Sequence, residues 1–152
     1  MKYKVELLEG FKLIGFSKEF LSESSFIDIP NYWDEVFLSS SEKIKNIISE
    51  YSIGGYGVCI ETDNGKKCQY MIAGKYTGGI VPDGLTVFEF PKIMWAKFEC
   101  EGPIPEALQA LSNQIFNDWI IHNLEYQLAE KYNIEWYENG NHCQIWIPVK
   151  KK

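Results

Sequence analysis

The order strand, helix, hairpin occurs twice in this sequence, and this repetition constrains the fold more than any other feature. In the first copy, an extended apolar segment at 11–20 is followed by a helical pattern that starts near Pro30 and by a hairpin with its turn at 63–65. In the second copy, a strand at 93–100 is followed by a helical pattern from Pro105 and by a hairpin near the C-terminus. The sequence therefore predicts two β-α-β-β copies.

Each copy is too short to bury a core of its own, so the two should pack together as a pseudo-symmetric pair. With 152 residues, of which 45% are hydrophobic, the chain suits a single domain. We expect an α+β fold over residues 1–152, with internal halves at about 1–77 and 85–152, an antiparallel sheet, two main helices and a ligand pocket between the halves. A continuous α+β sandwich whose halves match by chance is the alternative.

Three segments are less clear. Residues 39–41 are all serine and are expected to break or kink the first helix. Residues 85–90 fit one further strand in the Gly- and Pro-rich link between the halves. Residues 123–131 fit either an extension of the second helix or an ordered loop, and the sequence does not decide between them.

An acidic residue lies inside a segment near the C-terminus that otherwise has the pattern of a buried aromatic strand. Because side chains alternate along a strand, Glu135 and Tyr137 should share one face, and Ile134 and Trp136 the other. The turn of this hairpin is predicted at 138–141. A carboxylate removed from water costs several kcal/mol unless it is paired, and a cationic ligand held by Glu135 and aromatic rings would pair it.

Six segments in register resemble the GyrI-like small-molecule-binding domain, the effector-binding domain of AraC-type and MerR-type multidrug-sensing transcription regulators. They are IPNYW, YGVCIETD, CQYMIAG, FECEGPIPEALQALSNQIFNDWI, IEWYENG and CQIWIPV. The resemblance extends from about Phe11 to Val149 and implies a duplicated, SHS2-like β-α-β-β architecture. It also implies that an acidic residue on the penultimate strand, here Glu135, meets cationic, lipophilic, aromatic compounds.

Regulators of this family carry a helix-turn-helix region ahead of the domain, whereas this chain begins at the first predicted strand. We therefore expect a stand-alone form without direct nucleic-acid binding. The net charge of -6 also argues against nucleic-acid binding through the protein's own surface. The protein partner, if there is one, is unknown.

The candidate ligand-binding residues are one carboxylate and a set of aromatic side chains. Glu135 is the expected charge partner, with a side chain that simply faces water as the alternative. The aromatic candidates, each of which could instead fill the core, are Tyr137, Trp33, Trp146, Tyr70, Trp95 and Tyr56. A delocalised organic cation needs a large apolar surface, π-faces and one carboxylate, so this set predicts binding of hydrophobic cations with loose specificity.

The sequence favours a non-catalytic binding protein that senses or sequesters such cations, but two alternatives stay open. One is a hydrolase of reactive lipophilic natural products, implied by the resemblance, with Glu135 and Tyr137 as the catalytic pair. The other is a gyrase-inhibitor-like protein-binding module. The two histidines, His122 and His142, have no evident nucleophile partner and are expected to be surface or capping residues.

Neither a metal nor a cofactor is expected. The four cysteines are widely spaced in apolar, strand-like segments and show no metal-ligand spacing, so they are predicted to be buried thiols. No hydrophobic run approaches the roughly 20 residues of a membrane span, and no signal-peptide pattern opens the chain, so we expect a cytoplasmic location and no membrane partner.

Overall fold

The computed structural model describes residues 1–139 and 141–152, so the predicted turn at 138–141 falls partly outside the described residues, at Gly140. The chain forms two compact units. The first unit is Phe11–Phe90, and the second unit combines Met1–Gly10 with Pro91–Lys152. No helix in the described ranges is long and apolar enough to cross a membrane.

The described residues form the predicted strands and helices in the predicted order, together with two further strands. The strands are β1 Tyr3–Leu8, β2 Phe11–Leu21, β3 Tyr56–Thr62, β4 Lys67–Lys75, β5 Thr86–Phe90, β6 Ile93–Glu101, β7 Tyr126–Leu128, β8 Tyr132–Asn139 and β9 His142–Lys151. The helices are α1 Ser25–Phe37, α2 Glu42–Tyr51, α3 Glu106–Gln114 and α4 Ile120–His122, with a π-helical turn at Ile115–Trp119 between α3 and α4.

The first unit places β4 between β2 and β3, and β2 also pairs with β5, with all pairs antiparallel. Side chains from one face of these strands pack with α1 and α2 in an apolar cluster, which we call the α1–α2 cluster. Its buried members are Phe20, Tyr32, Val36, Ile47, Ile53, Cys68, Tyr70 and Ile72.

The second unit repeats this arrangement, with β9 between β6 and β8, and with β1 added beside β6 and β7 beside β9. One face of its strands packs with α3 in a second apolar cluster, the α3 cluster. Its buried members are Ala96, Phe98, Cys100, Leu108, Leu111, Ile115, Cys143, Ile145, Ile147 and Val149. The β-α-β-β order and the strand pairing recur in both units, which confirms the predicted duplicated α+β fold.

The first helix, α1, begins earlier in the chain than predicted. Helix α1 begins at Ser25 and not near Pro30, which lies in its sixth position. A proline there removes one intrahelical hydrogen bond, a cost that this helix tolerates while it packs Tyr32 and Val36 against the sheet. The predicted break at 39–41 is confirmed, because α1 ends at Phe37 and α2 begins at Glu42. The Ser41 side chain accepts the backbone N–H of Ile44 at 3.4 Å and caps α2.

Two strands were not predicted. β1 lies at the edge of the second unit, where Tyr3 pairs with Phe98 and Leu8 with Ile93. The ambiguous segment at 123–131 is neither a helix nor only a loop, because it contains β7, which pairs with the end of β9. Asn123 begins this segment, and its side-chain oxygen accepts the backbone N–H of Tyr126 at 2.6 Å. The strand expected at 85–90 is confirmed as β5.

Candidate functional site

Glu135 and Tyr137 lie on the face of β8 that carries the α3 cluster. Glu135 is opposite Ile145 on β9, and Tyr137 is opposite Cys143. Residues directly opposite each other in an antiparallel pair project to the same face. Because Ile145 and Cys143 are buried members of the α3 cluster, the carboxylate projects to the apolar side of this strand pair.

The structure brings Glu135 and Tyr137 together. The Tyr137 hydroxyl donates a hydrogen bond of 2.8 Å to Glu135 Oε1, and both side chains are half-buried. Tyr137 also packs against the α3 cluster, so its ring is held while its hydroxyl is directed at the carboxylate. A hydrogen bond to a charged acceptor is about twice as strong as one between neutral groups, and it orients the carboxylate.

The negative charge of Glu135 contributes to the raised pKa of a buried thiol, Cys143. Burial raises the pKa of Cys143 far above its ordinary value, and the hydrogen bond to Cys100 and the negative charge of Glu135 act in the same direction. A nearby anion disfavours a thiolate for the same reason that it favours a cation. The carboxylate therefore supplies a negative field on an otherwise apolar face.

Trp95 and Trp146 lie on the opposite face of the second unit. Trp146 is opposite Ile134 on β8 and opposite Lys97 on β6, in the alternate set of positions from Glu135. The two indole rings contact each other, with centroids 6.2 Å apart and planes at 61°. The structure therefore groups these two tryptophans with each other and separates both from the carboxylate.

Trp146 already contacts a cation of the protein itself. Lys97 Nζ lies 4.0 Å from the centroid of the Trp146 ring, a cation–π distance, and it also forms an ion pair of 2.6 Å with Glu6. Trp146 in turn donates its indole N–H to Gln144 at 2.8 Å. The indole of Trp146 is thus part of an internal polar network on this face of the strands.

In the first unit, Trp33 and Tyr70 form a pair. The indole N–H of Trp33 on α1 donates to the Tyr70 hydroxyl at 2.9 Å, and the Trp33 ring stacks on Phe37 at 5.7 Å. Tyr70 is 1% exposed and belongs to the α1–α2 cluster, whereas Trp33 is half-buried at its margin. This hydrogen bond connects two of the predicted site residues, and it also links α1 to β4.

Tyr56 projects to the other face of the first unit. It is opposite Ala73, three residues along β4 from Tyr70, so the two tyrosines point to opposite sides. Tyr56 lines an open cavity of about 740 Å³ together with Tyr51, Lys75 and other described residues of the same unit. Of the seven predicted site residues, Tyr56 is the one that lines this cavity, and burial raises its pKa.

His142 has a role that sequence reasoning missed. It is the first described residue of β9, where Nε2 lies 2.7 Å from Glu99 Oε2 and Nδ1 contacts the Glu138 carboxylate. Its side chain is 26% exposed, so it lies at the surface of the strand as expected, but it is held there between two carboxylates. The hydrogen bond to Glu99, followed by the one to Glu138, raises the pKa of His142. Alternation of polar residues at 142 and 144 on β9 was the signal for this network.

No three His, Cys, Asp or Glu side chains converge as a metal site within residues 1–139 and 141–152. Within the second unit, the candidate site is the Glu135–Tyr137 pair on the α3-cluster face. Within the first unit, Trp33 and Tyr70 form an aromatic pair of their own.

Residues 4–149 match the family model of Cass2, described as an integron-associated effector binding protein. The chain belongs to this family. The resemblance to GyrI-like effector-binding domains is thereby confirmed over nearly the whole length. No curated protein is significantly similar to the chain.

Several solved structures share the Cass2 fold seen here. SAV2435, solved bound to tetraphenylphosphonium, has a TM-score of 0.81 at 20% identity, with 99% of this chain and 94% of that chain covered. The integron cassette protein VCH_CASS2 of Vibrio cholerae has a TM-score of 0.74 at 16% identity, covering 97% and 95%. EcmrR in a complex with DNA has a TM-score of 0.61 at 13% identity, covering 99% of this chain and 58% of that chain. These similarities establish the fold.

Proposed function

We propose that this Cass2-family protein binds hydrophobic, cationic aromatic small molecules, with Glu135 as the charge partner. The observation that carries the proposal is the half-buried Glu135 carboxylate on the apolar α3-cluster face, oriented by the Tyr137 hydroxyl at 2.8 Å. A partly desolvated carboxylate gains more from a bound cation than an exposed one does, because the solvent screens the attraction less.

Two similarities support the ligand class. The family is described as effector binding, and SAV2435, which shares the fold, was solved with tetraphenylphosphonium, a lipophilic cation. A cation of this kind offers the aryl surface and delocalised charge that a carboxylate beside aromatic rings accommodates.

Tyr137 is the aromatic partner that we propose first, because its ring packs at the α3 cluster beside the carboxylate. Each cation–π contact contributes about 0.5–2 kcal/mol. Trp33, Tyr70 and Tyr56 remain predicted contacts. We infer a secondary role at most for Trp95 and Trp146, since they lie on the face opposite to Glu135.

The test is a fluorescence titration of a rhodamine dye into the wild type and into Glu135→Gln, with an exposed carboxylate, Glu23→Gln, as the control for charge. Loss of the charge partner should weaken cation binding by about 1–3 kcal/mol, whereas Glu23→Gln should leave it unchanged. A neutral dye of similar shape should lose much less. Equal weakening of both dyes by Glu135→Gln would show an effect on shape or folding and would refute the assignment.

The same samples separate the two alternatives from binding. Recovery of a chemically altered dye after long incubation would favour the hydrolase, with Glu135 and Tyr137 as the reacting groups. Absence of binding at micromolar dye, together with inhibition of gyrase supercoiling, would favour the protein-binding module.

A further inference from the structure

The four cysteines form two cross-strand pairs, one in each unit. In the second unit, Cys100 on β6 is directly opposite Cys143 on β9. In the first unit, Cys59 on β3 is opposite Tyr70, and Cys68 lies two residues before Tyr70 on β4. Cys59 and Cys68 are therefore diagonal neighbours on the same face, beside the α1–α2 cluster.

The two cysteine pairs differ in burial and in the direction in which the thiol pKa is shifted. Cys100 and Cys143 are both buried, and burial together with their mutual hydrogen bond raises the pKa of Cys143. In the first unit, Cys59 is half-buried, and its hydrogen bond to Cys68 lowers the Cys68 pKa although burial opposes this. The first unit thus places two neighbouring thiols on one face, a buried Cys68 beside a partly accessible Cys59.

The diagonal spacing suits a bridging ion better than a disulfide. Diagonal residues of an antiparallel pair have Cα atoms roughly 7–8 Å apart, whereas disulfides usually need about 4.4–6.8 Å. Two metal–sulfur bonds of about 2.3 Å each span a wider gap than one sulfur–sulfur bond of about 2.05 Å. The Cys59–Cys68 geometry therefore favours two thiolates that share one ion.

We propose that Cys59 and Cys68 form a binding site for a soft, divalent, two-coordinate cation, for which Hg(II) is the matching probe. Binding breaks two S–H bonds, forms two Hg–S bonds and releases two protons to water, so the complex of Hg(II) with the two thiolates is neutral. A neutral complex suits Cys68, which is 5% exposed among apolar side chains, whereas a monovalent ion would leave one negative charge there.

The number of protein ligands argues against zinc, the common structural metal. Zinc in structural sites takes four ligands, but no third His, Cys, Asp or Glu joins this pair among the described residues. Thiolates select soft ions, and a pair of them is sufficient only for an ion that accepts two ligands. The thiol pair is distinct from the Glu135–Tyr137 pair, because Cys59 and Cys68 belong to the first unit and Glu135 belongs to the second.

The experiment titrates Hg(II) into the full-length protein in the absence of oxygen and in an excess of glutathione, followed by ultraviolet charge-transfer absorption and native mass spectrometry. One equivalent should remain bound to the wild type, because a chelating dithiol competes with a monothiol through its high effective concentration. Cys59→Ser should lower the affinity by more than the roughly 100-fold that loss of an outer-shell partner costs. Cys100→Ala should retain the tight equivalent.

Circular dichroism checks that Cys59→Ser is folded, and Cys68→Ala provides a second test if it is not. Retention of the tight equivalent in both variants would overturn the proposal, as would its loss in Cys100→Ala alone. Complete transfer of Hg(II) from the wild type to glutathione would also overturn it. None of these outcomes affects the rhodamine titration, so the two proposals fail independently.

Discussion

The two units share one strand order, and this allows their chemistry to be compared position by position. β4 and β9 both carry a Cys-Gln pair at their second and third positions, beginning at Cys68 and Cys143, and in both strands five consecutive buried residues follow this pair. In both units the glutamine side chain donates a hydrogen bond to the strand that precedes the helix, β2 or β6. Gln69 donates to Ser17 at 2.6 Å, and Gln144 donates to Glu99 at 2.7 Å. These matches align the two hairpins.

With this alignment, Cys59 and Glu135 occupy equivalent positions. Cys59 is opposite Tyr70 in the first unit, and Glu135 is opposite Ile145 in the second. One duplicated position thus carries a thiol in one unit and a carboxylate in the other, both on the face with the apolar cluster. The repeated backbone thus provides a half-buried position in each unit, and we propose that the residue placed there decides which ligand class the unit suits.

The largest difference that we expect between equivalent positions concerns stability. Phe98, opposite Ile145, is fully buried, whereas its counterpart Lys18, opposite Tyr70, is exposed. Phe98→Ala should lower the free energy of unfolding by about 3–5 kcal/mol, because it leaves a cavity among packed aromatic rings. Lys18→Ala should cost less than about 1 kcal/mol, since it removes a surface ion pair and two long cation–π contacts, with Phe20 and Tyr32.

Urea denaturation of the two variants measures this difference. Similar losses at both positions would contradict the difference in burial between Phe98 and Lys18, because the cost of truncating a side chain depends on how deeply it is buried.

A smaller effect is expected for ligand affinity. Glu135→Gln should weaken a cationic dye by about 1–3 kcal/mol, whereas Cys59→Ser at the equivalent position should change its affinity by less than about 0.5 kcal/mol. Isothermal calorimetry with one dye and both variants makes the comparison direct. If Cys59→Ser weakened the dye as much as Glu135→Gln does, the two positions would serve one ligand, and their separation into a cation site and a thiol site would be abandoned.

The smallest expected effect is a change in the pH dependence of stability. The pair of His142 with Glu99 corresponds to the pair of Lys67 with Glu19, 3.5 Å apart. The hydrogen bond to Glu99 raises the pKa of His142 above its ordinary 6.5. A raised folded-state pKa means that the stabilisation is complete below pH 6.5 and is lost as the pH rises through the folded-state value.

A lysine side chain in model peptides titrates far above this range, so His142→Lys should flatten the wild-type decrease in stability above pH 6.5. Although burial opposes it, hydrogen bonds from His142 and Gln144 lower the pKa of Glu99, so the stabilisation also disappears in acid as this carboxylate is protonated. Urea midpoints measured from acid to mildly alkaline pH test both the loss of stability above pH 6.5 and the loss in acid. An unchanged slope in His142→Lys would assign the pH dependence to another group.

Local periodicity was sufficient to predict the order of elements and the shared face of Glu135 and Tyr137, because alternation along a strand depends only on the backbone. It also predicted the break before α2, since a serine cap acts within one turn. It could not predict β1 or β7, whose sequences are short or charged. These segments become strands because β6 and β9 offer them unpaired backbone groups.

The grouping of the candidate residues was likewise decided by tertiary structure. The sequence placed Glu135 and Trp146 in one hairpin, and Trp95 on a central strand of the same half. Only the register shows that Trp146 is opposite Ile134 and therefore on the other face from Glu135. A register shift of one residue would have exchanged the faces, and no local pattern excludes it. What the sequence determined by itself is the duplicated β-α-β-β order and a carboxylate in an aromatic strand. Which side chains share a face with that carboxylate was decided by non-local pairing and burial against α3.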